Sequence, residues 1–112
     1  MEKRICRVLE DKEFELVDSF LRTPPVTLRS KVSQARFLSH VKNIAKDLAC
    51  IQPTIPEKLK KDLCEEVKKR MENLVEGISQ LPPAWITQEH LNYLYYLKKI
   101  SKEYGCEEDG TR

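Results

Sequence analysis

Residues 54–80 read TIPEKLKKDLCEEVKKRMENLVEGISQ, and the spacing inside this stretch decides the fold class. Leu59, Leu63, Val67, Met71, Leu74, Val75 and Ile78 recur every three or four residues, the period of one buried helical face. Thr54 and Glu57 stand in the T-x-x-E order of a capping box, with Pro56 in the first turn. Glu57/Lys61, Lys61/Glu65, Glu65/Lys69 and Glu66/Arg70 are opposite charges four residues apart, each worth ~0.2–0.5 kcal/mol on a helix surface. The stretch predicts a helix over 55–80, with Gly77 weakening or ending its last turn.

The prolines set the limits of the remaining elements. Pro24 and Pro25, Pro53 and Pro56, and Pro82 and Pro83 form three clusters, and proline is excluded from helix interiors. Three breaks leave four segments, and none alternates with the period of a strand. A first helix is expected over 9–22, where Leu9, Leu16, Val17, Phe20 and Leu21 share a face, with residues 1–8 either extending it or fraying. Glu10, Asp11, Glu13 and Glu15 would then favour its first turns through the helix dipole. A second is expected over 28–50, capped by Thr27, with Phe37, Leu38, Val41, Ile44, Ala45 and Leu48 inward. A fourth is expected over 88–104, between Thr87 as cap and Gly105 as stop. Leu91, Leu94, Leu97 and Ile100 form its stripe.

The expected architecture is all-α: a small four-helix bundle, mostly antiparallel, with three proline-marked turns between helices. Residues 1–106 form one helical domain and 107–112 a polar tail. No segment reads as a repeat of another.

Composition narrows the function classes. The chain has 112 residues, 40% hydrophobic and 34% charged, with a formal net charge of +2. That excludes a disordered chain and gives no run of ~20 apolar residues for a membrane span. The opening residues 1–7 lack the hydrophobic core of a signal peptide, so the expected setting is soluble and intracellular, in the cytoplasm or nucleus. Cys6, Cys50, Cys64 and Cys106 show no C-x-x-C spacing; their even count allows two disulfides, as in a secreted four-helix ligand, but free thiols are expected where no signal peptide is read. His40 and His90 read as solvent-facing and capping residues. Three scattered glycines form no phosphate loop. No catalytic, cofactor-binding or metal-binding residues emerge, no small-molecule substrate is indicated, and a non-enzymatic protein is expected.

Two features point to binding. Trp85 and the tyrosines of the last segment concentrate the aromatic residues near the C-terminus. At 100° per residue, Tyr93 and Tyr96 lie close on a helix while Tyr95 points away, so Trp85, Tyr93, Tyr95 and Tyr96 are the expected anchors for protein partners. The expected role is that of an interaction subunit or adaptor in a larger complex. The second feature is charge placement. Arg29, Lys31, Arg36, Lys42 and Lys46 face Asp47 alone across residues 23–55. A one-sided basic helix attracts phosphate backbones, so a nucleic-acid or chromatin-associated domain is the alternative.

Overall fold

The computed structural model describes residues 2–23, 25–48, 50 and 55–106, and within them it is all-helical. Helix α1 spans Glu2–Arg22, α2 Leu28–Asp47, α3 Glu57–Ser79 and α4 Gln88–Glu103, with one 3-10 turn at Pro83–Trp85. The expected class, a small helical bundle broken at the prolines, is the observed one. The bundle is elongated, 50 × 29 × 24 Å.

Caps fix several helix ends. Thr27 adopts an extended conformation before α2, and its Oγ1 accepts from the Ser30 amide at 3.1 Å. Thr87 does the same for α4, and the His90 ring returns the favour by accepting from the Thr87 amide at 2.9 Å. His90 thus takes the part of the usual glutamate in a capping box. Helix α3 starts from Pro56, whose own side chain makes no cap bond, and the Thr54 half of the expected capping box lies outside the described residues. Helix α1 begins at Glu2, a full two turns before the expected start, so its acidic residues sit in mid-helix. Gly77 does not end α3.

Side-chain partners give the directions. Ser19 meets Gln34 and Glu13 meets Lys42, so α1 and α2 are antiparallel. His40 meets Tyr96 and Lys46 meets Glu103, so α2 and α4 run parallel. Cys64 near the start of α3 is bonded to Cys106 beyond the end of α4, so these two are antiparallel. Helix α2 packs on α1 and α4, α3 on α4 and more lightly on α1. The fold is therefore two αα-hairpins laid side by side.

The cysteines correct the sequence reading. None of the four is free: Cys6 pairs with Cys50 and Cys64 with Cys106, with Cα atoms 5.6 and 5.4 Å apart. Each bond closes the open end of one hairpin. The bonded residues are 44 and 42 positions apart in sequence. The likeness extends further. In sequence the same number of residues separates Cys6 from Pro24 as Cys64 from Pro82, and a threonine cap, Thr27 or Thr87, follows each proline pair. Cys50 and Cys106 each lie three residues past a helix and donate an amide back to Ala45 and Ser101. Past α4 this is the Schellman arrangement, and Gly105 at φ +69° supplies its left-handed residue. The two hairpins are thus related in plan although their side chains differ, which hid the repeat from the sequence.

The core joins Val17 and Phe20 of α1, Val32, Ala35 and Leu38 of α2, Leu63 and Val67 of α3, and Tyr93, Leu97, Ile100 and Tyr104 at α4. Several expected core residues lie outside it. Phe37, Ile44 and Leu48 are exposed, as are Val75 and Leu91. Helix α2 has neighbours on two sides, so its buried face is wide and takes in Gln34 and Ser39 beside Leu38 and Ala45, while Phe37, Ile44 and Leu48 of the expected stripe stay outside. In α4 the spacing of three repeated from Leu91 drifts by about 60° per step. The face that packs is Tyr93, Leu97, Ile100 and Tyr104, at spacings of three and four.

Candidate binding surfaces

The side chains expected to form a partner surface divide between core and solvent. Tyr93 is buried, 5% exposed, within reach of the Arg70 charge. Burial raises its pKa above the ordinary phenol value, partly offset by the Arg70 charge and hydrogen bond. Tyr96 is half-buried, its ring edge-on to His40 at 5.9 Å. Tyr95 stands out from the helix, 57% exposed, and Trp85 is 68% exposed on the 3-10 turn that joins α3 to α4. Leu91, one turn before Tyr95, is exposed on the same side. The angular argument from sequence separated Tyr95 from Tyr93 in the right sense, and it leaves Trp85 and Tyr95 as the accessible pair.

The cations of α2 do not form one surface. Lys42 reaches inward, with only 12% of its side chain exposed, to Glu13 Oε2 at 3.5 Å, and its ammonium lies 4.7 Å from the Tyr104 ring centre. Lys46 pairs with Glu103 at 3.3 Å. Arg36 lies over the Phe37 ring at 5.7 Å. Lys31 lines a different groove, and Arg29 is on the opposite side of the helix from Lys42.

Sequence reasoning missed two buried polar centres. In the first, the Tyr104 hydroxyl donates to Glu13 Oε2, and the same carboxylate receives Lys42. Burial and then the Glu13 charge push the Tyr104 pKa far above the ordinary phenol value. In the second, Arg70 donates to Glu66 at 2.9 Å, to Gln34 Oε1 at 3.1 Å and to the Phe20 carbonyl at 2.6 Å. Both centres satisfy their buried charges by pairing, as burial requires. Both join three helices or their ends, so they position the frame. Glu66/Arg70 was legible as a helix pair, but nothing local shows that its arginine points into the bundle.

Described residues line two grooves on the surface. One, of about 630 Å³, lies at the turn end between Val26, Leu28, Leu74, Gly77, Ile78 and Leu81, with Arg70 and Tyr93 at its base. The other, of about 510 Å³, is lined by Lys46, Tyr95, Lys98, Lys99, Lys102 and Glu103. Among the described residues no group of three or more His, Cys, Asp or Glu side chains is arranged to hold a metal ion. None of the described helices is long and apolar enough to cross a membrane. No family model matches the chain, and no curated protein or solved structure is similar to it.

Proposed function

We propose that this chain is a non-enzymatic protein-binding module, a rigid helical ligand or subunit that works in an oxidising compartment. The observation that carries the reading is the exposure of Trp85 and Tyr95 on a frame whose core is already complete without them. Large aromatic side chains offer much contact area at small entropic cost, and they dominate interface energetics. The two hairpin-closing disulfides support the compartment, because cytosolic thiol buffers keep such cysteines reduced. They weigh against the intracellular assembly that the sequence alone suggested. A protein partner is favoured over nucleic acid because Lys42 is turned inward to Glu13 and the remaining cations of α2 do not share one face.

The test is capture by the oxidised protein from secreted fractions and intact cell surfaces, compared with Trp85→Ala and Tyr95→Ala. Both variants are expected to keep the wild-type unfolding midpoint and to lose the stoichiometric partner. Retention of every partner by both folded variants overturns the reading.

A further inference from the structure

We propose that the groove between α2 and α4 is a binding site for a linear sulfated polysaccharide. The inference begins with charge. Lys46, Lys98, Lys99 and Lys102 line the groove, and Glu103 is the one carboxylate among its described lining residues. Glu103 is turned inward, 10% exposed, and its contact with Lys46 anchors the far wall.

The arrangement is linear. Lys98 and Lys102 are one helical turn apart, about 6 Å along the axis, and Lys99 is offset around the helix toward α2. Lys46 arrives from α2, which runs parallel to α4 here. A row of ammonium groups along an open channel suits an extended chain with repeated negative groups better than one compact anion. Lysine supplies point charges on flexible stems, suited to sulfates whose orientation varies from sugar to sugar. Tyr95 adds an exposed ring to the wall, against which the C–H face of a sugar can lie.

Nucleic acid fits less well. Sequence-tolerant single-strand binding stacks successive bases on several aromatic rings. Among its described lining residues this groove has one ring, Tyr95. The polysaccharide also belongs to the oxidising exterior, a step that rests on the compartment proposed above, while binding itself is measured on purified protein and does not depend on it.

The experiment measures heparin binding by the oxidised chain in 0.15 M NaCl, with fully desulfated heparin and duplex DNA of matched charge as comparisons. The triple variant Lys98→Gln/Lys99→Gln/Lys102→Gln is set against Lys58→Gln/Lys60→Gln/Lys61→Gln, which removes equal charge from α3. The α4 variant is expected to weaken heparin at least ~10-fold and to lower the salt slope by about three. The α3 variant is expected to change affinity by less than about threefold, and desulfated heparin and DNA to bind more weakly than heparin. Equal weakening by both variants reduces the effect to net charge and overturns the site. No heparin binding by wild type, or DNA bound as tightly as heparin, overturns the ligand.

Discussion

Arg70 lays its guanidinium over the Phe20 ring, 3.8 Å from the centroid, and donates to the carbonyl of that same residue at 2.6 Å. One side chain of α3 thereby grips both the ring and the backbone of α1, near the end where α1 has few remaining amide partners. Helix α3 otherwise touches α1 lightly. Gln34 of α2, held by Arg70 at 3.1 Å, passes its own amide to Ser19 Oγ at 3.3 Å. The cluster therefore locks the two hairpins together at their turn ends.

Removing the arginine should be costly. Arg70→Ala leaves the Phe20 carbonyl and Gln34 Oε1 without this donor and strips Glu66 of its cation. Breaking a buried pair of this kind typically costs ~3–5 kcal/mol. Arg70→Lys keeps the charge but not the planar fork, and should recover only part of the loss. Chemical denaturation of the three proteins checks this. Equal midpoints for wild type and Arg70→Ala would remove the cluster from the account of hairpin docking.

The disulfides make a separate claim. Each closes a loop of just over forty residues, for which the chain-entropy model gives about 4 kcal/mol from restricting the unfolded chain. Cys64→Ser/Cys106→Ser should lower the thermal midpoint substantially while circular dichroism at low temperature stays helical. The Cys6→Ser/Cys50→Ser pair should behave similarly, because it staples the equivalent place in the other hairpin. Gel mobility that differs between reduced and non-reduced native protein gives the direct check. Identical mobility and identical melts in the two states would mean that the bonds are not formed.

The elements were more legible than the faces. Proline clusters and threonine caps are local chemistry, so the breaks at Pro24, Pro25, Pro82 and Pro83 and the caps at Thr27 and Thr87 could be read directly. Which face of α2 turns inward depends on where α1 and α4 lie, and that is not local. Phe37 and Ile44 look like core in sequence and stand in solvent, whereas Gln34 and Arg70 look like surface and are buried. Polar residues enter this core because they bond one another across helices, a pairing that no single segment reveals. Disulfide partners are non-local for the same reason. In the candidate surface, the turn sequence exposed Trp85 and helical angle separated Tyr95 from Tyr93. The lysine groove needed the register of α2 against α4 to bring Lys46 beside Lys98, Lys99 and Lys102.

Burial separates two substitutions on the same helix. Leu63 is fully enclosed, and Leu63→Ala should destabilise by ~2–5 kcal/mol through lost burial and the cavity left behind. Met71 is half-buried against the core, so Met71→Ala should cost clearly less. Urea unfolding of both variants tests the order. A larger loss at Met71 would mean that α3 is rotated from the orientation described.

Tyr104 predicts how the bundle responds to alkali. An unfolded phenol loses its proton near pH 10. In the folded chain, burial and then the Glu13 charge hold the Tyr104 proton on above that value, and burial does the same for Tyr93 against the opposing pull of Arg70. Below pH ~10 both phenols are protonated in both states and contribute no slope. Above it, the unfolded chain binds fewer protons than the native one, so stability falls as pH rises. Each raised group contributes a slope of at most ~1.4 kcal/mol per pH unit. Tyr104→Phe removes one such proton, while Lys42 at 3.5 Å still holds the Glu13 carboxylate. The variant should therefore be less stable than wild type at pH 8, where the Glu13 hydrogen bond is lost, yet show a flatter decline between pH 10 and about 11.5. Guanidinium unfolding across that range measures both slopes. Parallel declines in the two proteins would show that Tyr104 does not keep its proton in the fold, and that its bond to Glu13 is not the buried contact described.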